Sequence, residues 1–472
     1  MLLVIPLKTT QEYDLSSPLT TYLQNVYPNL YSPSSSSYVK ETLHQDILRI
    51  STLRNSISSS FGMNNGSTSS SSNNYHVHAL ALSNHVLNDC MNYHACLLEC
   101  HHRSIVFSSS SFSSATLKWK SAFSIPTSEN KNGDELLQLS KSSNLQFERV
   151  CVLFNIASLL SYQASSLVDA TADLNVNDES NNASTREGRT KAIQSYQSAA
   201  AVLHYIIQTM GYQNSNASSI LEEEGLHITP DMTKPSLYML LYILMAQGQA
   251  LSYHHLSTTS SNSSLLSKLA QSAATFYNKA LQQSQHVNLQ RSTPHVSTPY
   301  GCHLKLCSLY YHAMVQYHVS KHAIGKESKY GQEIARLQFC MDICSQGILF
   351  YENAAEKNNR NMNHADNNNT LEEETNEKDE SSIFPLLLSQ STDIYSSIQK
   401  LYTTVEDRLS VAMKDNQEIY YDIVPQRKEL AAIVGVDLMS KHLNDGAEGG
   451  GKGLDERLFP ENLEEPIFQA LP

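Results

Sequence analysis

The sequence predicts a mostly α-helical protein with a small antiparallel β-sheet near its N-terminus. Three observations lead there. From Phe147 to Met413, apolar residues recur at helical spacing. Strand-like patterns are confined to the first quarter of the chain. Five polar tracts, at 55–74, 171–188, 257–264, 358–382 and 444–453, separate the helical stretches. Each is too rich in Ser, Asn, Gly or charge to bury the apolar area that would offset its ordering entropy.

Leu2–Leu7, Ser104–Phe107 and Ala115–Trp119 are short and apolar or alternating, with a Ser-rich turn between the last two. They read as the strands of the small sheet. Phe147–Ala164 places Phe147, Val150, Leu153, Phe154, Ala157, Leu160 and Ala164 at helical spacing, while Cys151, Val152, Ile156 and Leu159 widen the stripe. Such a helix must be covered on most sides. Ile193–Ile207 carries Ala199, Ala200 and Ala201 at its middle, small enough for a neighbouring helix to approach closely. Pro235 and Ser236 open the next helix, which runs through Leu256; proline is tolerated there because first-turn amides lack intrahelical partners. Leu265–Gln283, Tyr300–Ala323, Tyr330–Ala355 and Phe384–Met413 follow. No repeat of fixed period is visible, so the expectation is an irregular, tetratricopeptide-like helical solenoid forming a single domain over 1–472, with the polar tracts as surface insertions.

The chain has 33 Lys plus Arg against 46 Asp plus Glu, a formal charge of −13, read as spread without a strong basic block. A nucleic-acid binder would advertise a basic stripe, so no nucleic-acid partner is expected. Peripheral membrane contact stays open, since a local patch can be basic on an acidic protein. Eight cysteines do not make a disulfide framework, and Met1–Pro6 gives only a few apolar residues before Lys8, too few for a signal peptide. A reducing cytosol is the expected compartment. The longest apolar run, Leu237–Ala246, is half of the roughly 20 residues a bilayer crossing needs.

Several segments resemble, in order, the Bro-one domain of the ALIX family. They are Leu7-Lys8-Thr9-Thr10 with Asp14-Leu15, Pro18-Leu19 and Tyr27-Pro28, then Leu117–Phe123, where Ser121 stands in place of the usual Asp. Phe147–Asn155, Ala246–Gln249, Tyr330–Leu337 and Ile419–Pro425 follow. Each is weak alone, and their colinearity carries the resemblance. It implies a curved, boomerang-shaped helical body that acts as a non-enzymatic adaptor. The implied partner is the amphipathic C-terminal helix of ESCRT-III charged multivesicular body subunits, bound in a groove during endosomal sorting and multivesicular body formation. The implied location is cytoplasmic, with recruitment to endosomal membranes. The alternative is a signalling scaffold of the pH-response or small-GTPase type, using the same groove for another partner.

The residues themselves show how a groove could arise. At 100° per residue, Leu266, Ala270, Ala273 and Tyr277 form one core face, with Leu269 and Ala280 just beside it and Leu265 further round at the rim. An apolar rim can receive a partner helix through its own i, i+3, i+4, i+7 anchors. The competing reading is that Leu265 lies under a neighbouring loop. By resemblance, Leu265 and Leu269 are groove contacts, and a third apolar contact falls at Ser252, where the family offers an aromatic ring and the adjacent Tyr253 is a substitute. The family's acid and base, four residues apart, fall at Arg186 and Thr190, which removes a negative charge and adds a positive one. Tyr420 aligns with a tyrosine the family phosphorylates; the competing reading is an amphipathic side chain with its ring packed.

His94, Cys96, Cys100, His101 and His102 form a thiol and imidazole cluster, but zinc sites draw on two short-spaced pairs and only one is present. Cys340 and Cys344 read as small core residues, and Cys151 as an inert thiol. Gly446–Gly453 nearly spells a phosphate loop. It has Gly453 where Ser or Thr is required, no strand leading in, and Asp445 and Glu448 to repel phosphate, so it reads as a linker. No cofactor, no metal and no catalytic residues are expected.

Overall fold

The computed structural model describes residues 3–61, 72–103, 105, 117–123, 139–142, 145–172, 179–211, 228–367, 383–440 and 467–468. Its helices are α1 (Ser16–Val26), α2 (Ser37–Ser60), α3 (Ser72–His102), α4 (Leu145–Ala172), α5 (Glu179–Thr209), α6 (Lys234–Thr259), α7 (Ser263–Ser284), α8 (Val287–Ser292), α9 (Pro294–Glu327), α10 (Tyr330–Asn367) and α11 (Ile383–Asp415). Two strands, β1 (Leu117–Lys120) and β2 (Leu139–Ser142), pair antiparallel, Leu117 opposite Ser142 and Lys120 opposite Leu139. The chain forms two compact units: one of 1–3, 170–194 and 238–441, the other of 4–169, 195–237 and 442–472.

All seven helices anticipated from Phe147 onward are present, generally longer than their apolar pattern. α5 takes in 179–188 of one polar tract, α10 takes in 358–367 of another, and only Ser260–Asn262 separates α6 from α7. Residues 173–178 and 368–382 of those two tracts, much of 55–74, and all of 444–453 with its glycine-rich run lie outside the described residues. α1 and α2 were not anticipated. The buried stripe of α2, Leu43, Ile47, Ile50, Arg54 and Ile57, is helical in period, but an arginine breaks it and serines fill the rest.

The expected N-terminal sheet is corrected. Of its three strands only Ala115–Trp119 is met, by β1 over Leu117–Lys120, with Ala115 and Thr116 outside the described residues, and the partner β2 was not foreseen. Ser104–Phe107 lies outside the described residues apart from Ile105. The part of Leu2–Leu7 that is described is no strand: this segment is held by side chains of α4. Ile5 N–H donates to Ser161 Oγ (3.0 Å), Ser158 Oγ donates to the Pro6 carbonyl (3.1 Å), and Asn155 brackets Lys8, accepting its N–H (2.8 Å) and donating to its C=O (2.9 Å). Backbone groups entering a core need partners, and these polar side chains stand where a neighbouring strand would. A single bridge, Thr10 to Trp119, links this segment to β1.

Below it lie two ion pairs with no exposed surface. Lys8 Nζ meets Asp231 at 2.6 Å, and Asp231 also accepts the Ala122 N–H at 2.8 Å. Arg54 Nε meets Glu148 at 2.6 Å, and Glu148 further accepts Tyr93 O–H (3.2 Å) and Trp119 Nε1–H (2.5 Å). Charges this deep are tolerable only when partners offset their desolvation; Asp231 Oδ1 nevertheless makes no hydrogen bond among the described residues. α4 is long and apolar enough to cross a membrane over Leu145–Ala170, yet 78% of its most apolar window is buried in the protein, as a core helix would be.

In the other unit α7 packs along α9, α9 along α10, and α10 along α11. Leu306, Ala313, Leu337, Cys340, Ile398 and Val405 stand at the centre of the three-helix core. Cys340 and Cys344 are in it, as their spacing suggested.

Candidate functional site

The residues singled out for partner binding all fall in the unit of 170–194 and 238–441, and they divide by exposure. The face of α7 expected to be core is core: Leu266, Ala270, Ala273 and Tyr277 are buried. Leu265 stays half-exposed at its edge, one turn into the helix, where Asn262 caps the N-terminus by accepting the Leu265 N–H at 3.2 Å. Arg186 and Thr190 are exposed on α5.

Leu269, Tyr253 and Ser252 are interior residues, at 0%, 2% and 6% exposure, so the open seam expected through Leu265, Leu269 and Tyr253 is absent. For Tyr253 the cause is an aromatic cluster. Its ring meets Tyr311 edge-on at 5.9 Å and His318 at 5.6 Å, and its hydroxyl bonds to His318 Nε2 at 2.8 Å. Tyr277 stacks on the same Tyr311 at 5.6 Å. Burial holds the His318 imidazole down at about 4. Ser252 returns its hydroxyl to the Gly248 carbonyl of its own helix at 2.9 Å.

The other occupant of this region is the chain itself. Residues 431–437 have no regular secondary structure and run as a strap beside α6 and α7. Val436 N–H donates to the Lys268 carbonyl (3.2 Å), and Gln249 clamps the strap in two places, donating to the Val436 carbonyl (2.8 Å) and accepting the Leu438 N–H (3.1 Å). Arg336 donates to the Ala431 carbonyl at 2.6 Å. The approach is so close that a Cβ on Gly435 would stand 2.9 Å from the Ser272 nitrogen, leaving glycine as the residue that fits. Between strap, α7 and α9 a recess of about 410 Å³ remains, with Ser264, Ser267 and Lys268 on one wall, Val319 and His322 on another, and Ile433 to Val436 on the third. Val434 is 79% exposed.

The strap was not singled out from the sequence, and Gln249 entered only as the last residue of the Ala246–Gln249 family segment, with no role attached. The available signal was Leu430–Met439, an apolar run without helical period between Pro425 and the glycine-rich tract, which is how a packed extended segment reads.

Tyr420 closes a π-helical turn, Asn416–Tyr420, and its ring lies flat on Tyr330 at 3.4 Å. The following residues are pinned: Asp422 accepts the Tyr330 N–H (2.9 Å) and the Gly331 N–H (3.3 Å), capping α10.

The thiol and imidazole cluster does not converge. His94 Nε2 accepts from Arg149 Nε at 3.1 Å, and burial followed by the Arg149 charge holds its imidazole well below the usual range. Burial pushes the Cys96 thiol up to about 11 and Cys100 and Cys151 well above their ordinary value, away from reactive thiolate. Among the described residues no group of His, Cys, Asp and Glu is arranged to hold a metal ion.

Fold and site together define a mostly helical scaffold with a half-exposed apolar residue on α7, the helix that forms one wall of a recess. The chain belongs to the BRO1-like domain family, which it matches over residues 2–471. It is 25% identical over 427 residues to Programmed cell death 6-interacting protein of Xenopus laevis, covering 90% of this chain and 37% of that one. It is 20% identical over 310 residues to the pH-response regulator protein palA/RIM20 of Debaryomyces hansenii, covering 66% and 32%. The chain thus spans well under half the length of these relatives. Among solved structures, the ALIX BRO1 chain complexed with CHMP4C has the same fold, with a TM-score of 0.58 at 21% identity over 93% of this chain and 94% of that one. A Bro1 domain solved as a structural basis for endosomal targeting gives 0.57 at 16% identity, covering 97% and 98%.

Proposed function

We propose that this protein is a cytosolic adaptor of endosomal sorting that docks the C-terminal amphipathic helix of an ESCRT-III charged multivesicular body subunit, without catalysing a reaction. The observation that carries this reading is Leu265, an apolar side chain left half-exposed on α7, one residue along the chain from Ser264 of the recess that α7, α9 and the strap enclose. A helix laid there would set one apolar anchor on Leu265 and another toward Ile433 and Val434. This differs from the three-residue seam first expected, because the strap supplies one wall. The likeness to an ALIX BRO1 chain solved with CHMP4C supports the choice of partner.

The test is a titration of labelled C-terminal helices of ESCRT-III subunits with the full chain and with Leu265→Asp. Loss of an anchor at a docking hot spot costs about 2 kcal/mol, so binding should weaken by well over tenfold. Equal binding by both proteins removes this site. The signalling-scaffold reading is favoured by the likeness to the pH-response regulator, and it gains if wild type binds no ESCRT-III helix. Modification of Tyr420 would require its ring to lift from Tyr330.

A further inference from the structure

Two buried polar side chains in the unit of 238–441 are devoted to the strap and to no ion pair. Gln249 of α6 has no exposed surface, and Arg336 of α10 is 3% exposed. Arg336 donates to the Gln316 side-chain carbonyl at 2.8 Å and to the Ala431 carbonyl at 2.6 Å, both neutral, and its Nε–H has no partner among the described residues. A guanidinium buried without a carboxylate is costly, and an unsatisfied donor adds to that cost. The contact it secures outside the helices is the hold on the strap.

The strap is an arch fixed at both ends. At the first, Arg336 holds Ala431, just after the turn Arg427–Glu429, which Gln426 and Glu429 cap reciprocally and whose Arg427 lies over the Phe339 ring at 3.6 Å. At the second, Gln249 grips Val436 and Leu438, the Lys268 carbonyl accepts the Val436 N–H, and Asp437 Oδ1 accepts the Met439 and Ser440 N–H groups at 2.9 Å each. Between these ends, Ala432 to Gly435 make no hydrogen bond among the described residues. The same four residues line the recess. That wall is therefore placed by the two ends of the arch and by the close approach of Gly435 to Ser272.

We propose that Gln249 and Arg336 are positioning residues for the docked helix: neither touches the guest, and each keeps the strap where Ile433 and Val434 form its second anchor. The proposal rests on the docking reading above and adds the residues that hold the wall in place. A site whose wall is in place only part of the time binds more weakly in proportion to the time lost. By linkage the coupling also runs in reverse, so a bound helix holds the strap closed.

The experiment joins hydrogen exchange to the helix titration, with the full chain and a panel of labelled C-terminal helices of ESCRT-III subunits. In wild type, a bound helix should slow exchange at the Val436 and Leu438 amides severalfold. Gln249→Ala removes two bonds to the strap and Arg336→Met a charge-assisted one. Each should weaken binding on the order of tenfold, through faster dissociation, at unchanged helix content by circular dichroism. Arg336→Lys keeps a donor for the Ala431 carbonyl and should restore most of the affinity. Should Arg336→Met lose helix content, Gln249→Ala and the wild-type exchange decide. Faster strap exchange in Gln249→Ala with undiminished binding, while Leu265→Asp abolishes binding, overturns the positioning role and leaves the docking site standing. A bound helix that leaves strap exchange unchanged does the same. Equal binding by wild type and Leu265→Asp, or no binding by wild type, overturns the docking reading and the positioning role with it.

Discussion

Glu148 is the residue whose removal should show most directly how the unit built around α4 is held. Its side chain is fully buried, with Arg54 at 2.6 Å, Trp119 Nε1–H at 2.5 Å and Tyr93 O–H at 3.2 Å all directed at one carboxylate. Arg54 is equally buried; its other described interactions are a bond to Thr10 Oγ1 at 2.7 Å and the Trp119 ring 5.5 Å away. In Glu148→Ala the guanidinium would stay in the core without a counter-charge, a situation that costs about 3–5 kcal/mol. The orphaned Trp119 and Tyr93 donors each carry a desolvation penalty of about 1–3 kcal/mol, although relaxation prevents full addition. The total rivals the 5–15 kcal/mol by which whole domains are stable. Removing both charges, as Arg54→Met with Glu148→Leu, should be milder than Glu148→Ala alone, since no buried charge is stranded. The assay is urea denaturation followed by fluorescence, and the chain's single tryptophan, Trp119, reports from the pair itself. The double variant should show a coupling of about 2 kcal/mol or more; losses that add within about 0.5 kcal/mol would refute the compensated-pair account.

Three further outcomes are expected. Gly331→Ala would drive a Cβ to 2.2 Å from the Ile423 carbonyl oxygen, forcing 421–424 off the start of α10 together with its Asp422 cap; overpacking and cap loss together predict a fall of about 2–4 kcal/mol, read by thermal or chemical unfolding. Burial keeps His303 and His318 neutral, each held down at about 4 against an unfolded value near 6.5. The unfolded chain therefore binds more protons across that window, and stability should be full above pH 6.5 and fall as pH drops toward 4, by up to about 1.4 kcal/mol per pH unit per histidine; replacing His318 with Gln should flatten the slope. Gln249→Ala should free the strap, seen as faster hydrogen exchange at the Leu438 amide, while an unchanged rate would mean that the clamp does not hold it.

Helix type and order from Phe147 onward were legible because the pattern is local: a 3.6-residue repeat of apolar side chains needs no knowledge of what it packs against. The rim position of Leu265 and the core face through Leu266, Ala270, Ala273 and Tyr277 came from the same arithmetic, as did the burial of Cys340 and Cys344. The colinear motifs were enough to point to the family.

Whether a stripe residue is open or sealed was decided elsewhere in the chain. Tyr253 lies on a helix read correctly, yet its exposure depends on Tyr311 and on His318, 65 residues further on. The strap, residues 431–437, lies far beyond the end of α7 at Ser284 in the chain, fixed by two bonds from Gln249 and a glycine-sized gap at Ser272. The N-terminal segment has a strand's composition, but Asn155, Ser158 and Ser161 give its backbone partners on a helix instead. Sequence determines which faces are apolar, since that follows from each residue and its near neighbours. Tertiary structure alone determines which of those faces stay uncovered, because burial and hydrogen-bond satisfaction are fulfilled by whichever distant segment reaches them.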